Sequence, residues 1–384
     1  MRKLSKRILP PLIKRFIRFM RKIYFIFFDF VGNIIFFLLR LLRLIPAISN
    51  FKKEEIKKIL IIRLDRIGDV ILSTPAIRAI RQSFPDAKIH LLIKEYTKDL
   101  VVNNPNIDRL LIYGKEKIAS DYDLAIALHP GLNQNYLTFI SGAKTRVGYT
   151  GWGGGFFLTH KLIDDREIRI RHEVESALEV VEKIGCATND KSLEISTTEE
   201  GERFAKDFFQ KNGFKEEDIL IVIHPGARQE YLRWEKEGFA EVADRLIKEI
   251  EAKVILIGAK EEKKLIEEVV FFMQEKPIQA VGLKLTELIS LIKRCKLFIG
   301  NSTGPMHIAV ALKVPVVAIF GPIHPLDSYL EWGPWAEGNT VVSKNLNCFH
   351  CHPGDCFHFK CLKLITSEEV FIACKEQLIN LKEK

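Results

Sequence analysis

Three short polar segments contain the residues whose types suit chemistry on a phosphorylated substrate, and each follows an apolar run of strand length. In the first segment, residues 63–69, Arg63 and Arg66 precede Gly68 and Asp69. A carboxylate that follows a strand end is a candidate functional group. Asp69 also stands at the start of a helical pattern, so capping of that helix is the alternative explanation.

The second segment, residues 224–228, supplies a turn and positive charge. Gly226 follows a proline and favours a sharp turn directly after His224, while Arg228 and the nearby Arg233 bring cations to the same loop. Guanidinium groups suit the recognition of phosphate. An ordinary solvated loop is the alternative.

The third segment, residues 300–307, has the features of a phosphate cradle. Small residues precede Pro305, which fits the first turn of a helix because its missing N–H group costs nothing there. The amide groups and the dipole at a helix N-terminus attract phosphate. The candidate ligand-binding residues of this segment are Ser302, Thr303, Gly304, Met306 and His307. A capped helix without a ligand is the alternative.

The elements that must position these segments alternate between strands and helices. Strand-like apolar runs form two series, at 59–62, 88–93, 109–113 and 124–128, and at 219–223, 254–257, 297–299 and 316–320. Helical patterns separate the runs, which predicts an α/β fold with parallel sheets. We therefore expect two Rossmann-like halves around a cleft, with the three segments at the carboxyl ends of strands. No P-loop or Gly-x-Gly-x-x-Gly motif stands in the expected place, which disfavours an ATPase or a dehydrogenase.

This pattern and the shifts in composition divide the chain into four parts. They are a basic, apolar segment at 1–50, a first Rossmann-like domain at 51–212, a second at 213–345, and a Cys-rich segment with a terminal helix at 346–384.

The N-terminal segment concentrates the net charge of +9, because residues 1–50 hold eleven Lys and Arg and a single acid, Asp29. The rest of the chain is close to neutral, which argues against a nucleic-acid-binding face. Apolar residues recur at helical spacing in 12–27, and 23–39 is almost entirely apolar. We expect residues 1–45 to bind a membrane surface as an interfacial helix. A spanning helix and a helix packed on the protein's own body are the alternatives.

Four of the seven cysteines, Cys348, Cys351, Cys356 and Cys361, are clustered near the C-terminus with histidines between them. These are the ligand types of a structural zinc site, although the two Cys pairs of a four-Cys site usually stand farther apart in the sequence. Free thiols on a loop are the alternative.

Taken together, the segments resemble the heptosyltransferase family of lipopolysaccharide core assembly. The resemblance rests on Ile-Gly-Asp-Val at 67–70, His-Pro-Gly-Ala at 224–227 and Gly-Pro-Met-His-Ile-Ala at 304–309, which occur in the same order. It implies a GT-B fold and inverting transfer of a heptose or related sugar. The donor would be an ADP-heptose-like nucleotide sugar bound by the second domain, and the acceptor a lipid-linked saccharide bound by the first. The enzyme would work at the cytoplasmic face of the inner membrane, with no cofactor required for catalysis.

The resemblance also implies roles for single residues. Asp69 falls at the position of the family's proposed base, and we place Arg63, Arg66 and Thr74 on the acceptor side. Ser302 stands where the family often has Asp, and Leu232 where it often has Lys, so we assign charge neutralisation to Arg233 or Arg228.

Two other interpretations stay open at this point. Within enzymes, the chain could be another GT-B transferase or a sugar-nucleotide epimerase. In a different class, a zinc-ribbon protein that binds nucleic acid would also carry a basic arm and a Cys cluster, but its arm would hold fewer Phe, Ile and Leu.

Overall fold

The computed structural model describes residues 11–44, 51–321, 324, 327–346, 348, 356 and 358–382. Its centre is a pair of parallel six-stranded sheets. The strands of the first sheet are β1 (Lys58–Ile62), β2 (Lys88–Ile93), β3 (Arg109–Ile112), β4 (Leu124–Ala127), β5 (Thr145–Thr150) and β6 (His160–Ile163). Those of the second are β7 (Leu220–His224), β8 (Lys253–Gly258), β9 (Ile278–Val281), β10 (Leu297–Asn301), β11 (Val316–Phe320) and β12 (Thr340–Ser343).

Helices cover both sheets and precede the first one. The described helices are α1 (Pro11–Leu41), α2 (Ile67–Leu72), α3 (Thr74–Ser83), α4 (Leu132–Ile140), α5 (Glu173–Glu182), α6 (Glu199–Lys211), α7 (Lys236–Ile250), α8 (Lys263–Phe272), α9 (Leu285–Lys293), α10 (Gly304–Ala311), α11 (Tyr329–Trp332), α12 (Lys360–Lys363) and α13 (Ser367–Lys382). The expected two-domain α/β architecture, with an apolar helix at the N-terminus, is confirmed.

Both sheets have the same strand order. It is β3-β2-β1-β4-β5-β6 in the first sheet and, read from the corresponding edge, β9-β8-β7-β10-β11-β12 in the second. The order reverses between β1 and β4 in the first sheet and between β7 and β10 in the second. Central strands such as β1 and β7 are apolar and buried except at Lys58, which is partly buried, and at the polar His224, because helices cover both faces of a parallel sheet. Ligands bind at such reversal points, outside the carboxyl ends of the strands, so the topology gives each sheet one candidate binding edge.

The connecting helix α6 packs on the second half of the chain. A Cβ atom at Gly201 would lie 2.4 Å from the Thr286 carbonyl oxygen of α9, so only glycine allows this approach. The terminal α13 likewise covers the second sheet, and the Trp234 indole donates a hydrogen bond to the Ile365 carbonyl beside it. We therefore propose that the domain boundary lies before α6 and not at residue 212.

Candidate active site

The two reversal points face a shared cleft of about 820 Å³ between the halves. Loops after β1 and β4 form one wall, and loops after β7 and β10 form part of the other. The residues that line the cleft are Asp65, Arg66, Ile67, Gly68, Asp69, Tyr96, His129, Trp152, Arg166, Arg228, Leu232, Ser302, Thr303, Gly304, Pro305, His307, Asp327, Glu331 and Trp332. Of the residues selected from sequence, the cleft brings together Arg66, Asp69, Arg228, Ser302, Thr303, Gly304 and His307.

Asp69 lies in the first turn of α2 with only 8% of its surface exposed. Its Oδ2 accepts a hydrogen bond of 3.0 Å from the backbone N–H of Arg66, which is the capping contact expected of an acid there. The same carboxylate lines the cleft. Burial raises its pKa, and the nearby Arg63 opposes the rise. Capping and proton transfer are therefore compatible roles for this side chain.

Arg63 contacts Asp69 but does not itself line the cleft. Its guanidinium is fully buried and donates to the Asp69 carbonyl, to the Leu128 carbonyl and, at 2.6 Å, to Glu173. The other Glu173 oxygen accepts a 3.0 Å hydrogen bond from Arg166, which does line the cleft. Burial alone would raise the pKa of Glu173, but the two arginines keep it below its usual value. The first wall is thus a fixed network of alternating charges.

The opposite wall begins at α10. Gly304 and His307 contact α2 so closely that a Cβ at Gly68 would lie 2.7 Å from the His307 ring, and one at Gly304 would lie 2.9 Å from Ile67. Complete burial lowers the pKa of His307 to about 3, so its imidazole is neutral at physiological pH. The N-terminus of α10, with its amides and dipole, therefore opens into the cleft beside Asp69.

Two cations face the cleft, and the partly buried Asp327 attracts both of them. Arg66 and Arg228 are both exposed there, one from each wall. Burial and the repulsion from Arg66 lower the pKa of Arg228. An anion between the two would relieve this repulsion, which makes this part of the cleft suitable for a phosphate group.

His224 and Gly226 support the cleft from within. His224 Nδ1 lies 3.1 Å from Thr303 Oγ1, and its Nε2 lies 3.1 Å from Glu262 Oε2. A Cβ at Gly226 would lie 2.1 Å from Glu262 Oε1, so a larger residue would displace this carboxylate from His224. The rule that ligand-binding loops follow the carboxyl ends of strands (the strand-end rule) predicted the position of this loop but not the direction of its side chains.

Three further selected residues also lie away from the cleft. Thr74 Oγ1 donates to the Ile71 carbonyl and accepts from the Glu194 amide, so we no longer place it on the acceptor side. Met306 is fully buried in the apolar core. Arg233 donates to the Ala227 carbonyl at 2.8 Å, so we assign the neutralising charge to Arg228 instead.

Sequence reasoning missed several cleft residues. His129 follows β4, and the strand-end rule would have found it if applied to every strand. Trp152 belongs to the Gly-rich segment 151–155, whose composition predicts a loop and no particular site. Arg166 follows β6, which the sequence did not predict as a strand, whereas Asp327 and Glu331 lie farther from a strand end, so only the tertiary structure brings them together.

Glu331, on α11, is the most unusual of these residues because it is an acid with only 2% of its surface exposed. Its Oε1 lies 4.0 Å from Arg166 across the cleft, and its Oε2 has no hydrogen-bond partner among the described residues. Burial, reinforced by the field of Glu173, raises its pKa to about 8. A neutral carboxyl group can donate a hydrogen bond to a ligand hydroxyl.

Glu331 also gives a pH-dependent stability. The folded carboxyl ionises near pH 8, whereas the unfolded one ionises near 4.5, so the free energy of unfolding falls as the pH rises between these values. Glu331→Gln removes this loss. At pH 8 its melting temperature should exceed that of the wild type by at least about 2 °C, which is the shift that roughly 1 kcal/mol produces in a domain of this size. At about pH 5 the difference in melting temperature should be smaller. The exposed Glu337→Gln is the control, and equal effects of the two variants at both pH values would contradict the assignment.

The Cys cluster is only partly described. Cys351 lies outside the described residues, while Cys348, Cys356 and Cys361 are each partly exposed. Cys356 Sγ lies 3.8 Å from His358 Nδ1. Within the described part of the chain no three His, Cys, Asp or Glu side chains are grouped to hold a metal ion. The zinc site therefore stays a prediction.

Comparisons with known proteins agree on one family. The profile of glycosyltransferase family 9 (heptosyltransferase) matches residues 114–360. Lipopolysaccharide heptosyltransferase 3 of Escherichia coli K12 is 29% identical over 70% of this chain and 83% of its own. Lipooligosaccharide heptosyltransferase 2 of Campylobacter jejuni is 26% identical over 82% of this chain and 96% of its own.

Solved structures show the same fold. A family 9 glycosyl transferase from Veillonella parvula is 28% identical, with a TM-score of 0.75, over 87% of this chain and 100% of its own. E. coli ADP-heptose lipopolysaccharide heptosyltransferase II has a TM-score of 0.70 at 21% identity over 85% of this chain and 99% of its own. The iron-containing dodecameric glycosyltransferase TibC of enterotoxigenic E. coli has a TM-score of 0.55 at 17% identity over 85% and 77%. The profile match covers more than half of the chain, which therefore belongs to glycosyltransferase family 9 (heptosyltransferase) and is a glycosyltransferase.

Proposed function

We propose that this enzyme moves a heptose or related sugar, with inversion, from an ADP-heptose-like donor to a lipid-linked saccharide of the lipopolysaccharide core. The observation that carries the proposal is the cleft itself. One wall presents a carboxylate held by a buried arginine, and the other presents a helix N-terminus and a cation, Arg228. Family relatives named for ADP-heptose and lipopolysaccharide support the choice of substrates.

The proposed reaction uses both walls. Asp69 takes the proton of the acceptor hydroxyl as its oxygen attacks the anomeric carbon from the face opposite the leaving group. The bond between that carbon and the diphosphate oxygen breaks, and the diphosphate gains negative charge. Arg228 and the amides at the start of α10 stabilise that charge, so these protein groups supply the role that a metal ion has in other transferases.

We further propose that residues 1–45 bind the cytoplasmic face of the inner membrane, where such an acceptor is found. Residues 16–41 of α1 are long and apolar enough to cross a bilayer by length and composition, and only 11% of the most apolar part is buried against the protein. No role for nucleic acid is proposed, because the body of the chain is nearly neutral.

Asp69→Asn should lower the transfer rate by roughly 10²- to 10⁴-fold, since the amide cannot accept the proton. ADP affinity should change little, because Asp69 does not belong to the donor wall. The assay is ADP release with de-acylated lipopolysaccharide core as acceptor. Asp65→Asn is the matched control, because Asp65 is a second carboxylate of the same wall, 3.6 Å from Arg63.

Two results would count against Asp69 as the base. One is a variant that keeps more than about a tenth of wild-type activity, far above the loss expected for a missing base. The other is a lowered melting temperature that accounts for the whole loss of activity, which would leave helix capping as its role.

The donor wall is tested by ligand-induced stabilisation. ADP at 100 times its dissociation constant should stabilise the folded protein by about 2.7 kcal/mol, and GDP and UDP at the same concentration should stabilise it less. Arg228→Ala should weaken ADP binding about tenfold, as expected for a lost charge-assisted contact. Arg203→Ala, an exposed cation on α6, is the control. Unchanged ADP affinity in Arg228→Ala would remove that residue from the donor site.

The Cys cluster is tested by elemental analysis of protein purified under reducing conditions. The structural-zinc hypothesis predicts about one zinc ion per chain. Iron should be measured beside zinc, since TibC is described as iron-containing. Chelation should loosen the C-terminal segment and leave the rate per folded molecule unchanged. Metal-free protein would end the hypothesis, and immediate loss of activity with the fold intact would place the metal in the active site.

A further inference from the structure

Helix α1 carries two opposite faces along its length. One face points at the first domain and contains Phe25, Phe28, Asp29, Gly32 and Phe36, all of them buried or half-buried. The opposite face is apolar and exposed, and consists of Phe16, Met20, Ile23, Phe27, Phe30, Ile34, Phe37 and Leu41. Each set recurs every three or four residues, as a continuous stripe on a helix requires. The helix is therefore docked on one side, and no described residue covers the other side.

The docked face fits closely against the turn that follows β5. A Cβ atom at Gly32 would lie 2.1 Å from the Phe156 ring, so this approach requires glycine. Phe28 packs edge-on against Phe156, and Phe36 contacts Phe139, Phe156 and Phe157 with ring centroids 5.2 to 5.3 Å apart. These contacts fix the orientation of α1 on the domain.

Three polar side chains of α1 are also bound by the domain. Asp29 Oδ1 accepts a 2.9 Å hydrogen bond from the Gly155 amide, and Asn33 Oδ1 accepts one of 2.9 Å from Lys161. Lys22 pairs with Glu167. In a helix that crossed the bilayer, the acid and the amide would stand in hydrocarbon, where such groups are costly. The contacts with the domain run from Lys22 to Phe36 and occupy about 21 Å of the helix axis. A membrane span needs about 30 Å of the axis, so α1 is too short to make these contacts and also cross the bilayer.

We propose that α1 stays docked and lies in the headgroup region of an anionic bilayer, with both of its ends on the cytoplasmic side. The inference deepens the proposed membrane association and rests on it. An anionic phospholipid surface is the partner because residues 1–50 carry eleven cations, and their single acid is turned toward Gly155. Apolar burial and attraction to anionic headgroups together drive such binding.

The docked helix also brings the membrane surface to the rim of the cleft. The Arg21 guanidinium lies 5.5 Å from the Trp152 ring, and Trp152 lines the cleft. The Trp152 indole donates to Asp164, which pairs with Arg166 of the first wall. The sugar of a lipid-linked acceptor can therefore reach the cleft past Trp152 while its lipid remains in the bilayer.

The topology is tested on the full chain with a tag at each end, expressed in bacterial cells. Protease added to intact spheroplasts should spare both tags and should digest both after lysis. Digestion of either tag in intact spheroplasts would show a spanning helix and overturn the proposal.

Purified full-length protein should sediment with vesicles of phosphatidylcholine and phosphatidylglycerol and far less with phosphatidylcholine alone. Equal sedimentation, or none with either, would remove the anionic surface as the partner.

Docking is tested separately with Gly32→Leu, whose added side chain cannot share space with Phe156. The variant should still bind the anionic vesicles, while the amides of 151–157 exchange hydrogen at least about tenfold faster, because the loop has lost its support. Ile34→Leu, on the exposed face, is the control and should exchange as the wild type does. Equal exchange in the two variants would contradict docking. None of these measurements depends on sugar transfer, so they test the docked, interfacial helix independently of the proposed reaction.

Discussion

The buried guanidinium of Arg63 fixes the geometry on which the rest of the site depends. It joins the end of β4 at the Leu128 carbonyl, the start of α5 at Glu173, and the first turn of α2 at Asp69. Removing one member of a buried charge pair typically costs about 3–5 kcal/mol, because the remaining charge is left without a partner. The Asp69 carboxylate is therefore held in place before any substrate arrives, which is what a general base requires.

The second constraint is the direct contact between the two halves. Gly68 and Gly304 lack side chains where α2 meets α10, and a Cβ atom at either would clash with His307 or Ile67. The two helix N-termini therefore stand next to each other. In the proposed reaction this contact sets the distance between the base and the departing diphosphate, and it links the fold's two reversal points to a single chemical step.

The sequence predicted the central strands to within two residues, because buried parallel strands are continuous apolar runs. It missed β5, β6, β9 and β12, since strands such as Thr145–Thr150 mix polar and apolar residues. It also gave no sign of the break between α2 and α3 at Ser73. The strand ends located loops that line the cleft. They could not show that His224 turns inward, or that Arg166 and Glu331 meet across the cleft, because those directions are decided by tertiary packing.

The most direct test of this account is a crystal structure of the full chain with ADP. The account predicts that the diphosphate lies at the N-terminus of α10, within hydrogen-bonding distance of the Thr303 or Gly304 amide and of the Arg228 guanidinium. The Asp69 carboxylate should face the terminal phosphate across the cleft. A nucleotide bound at another edge of the second sheet, or with its diphosphate away from α10, would contradict it.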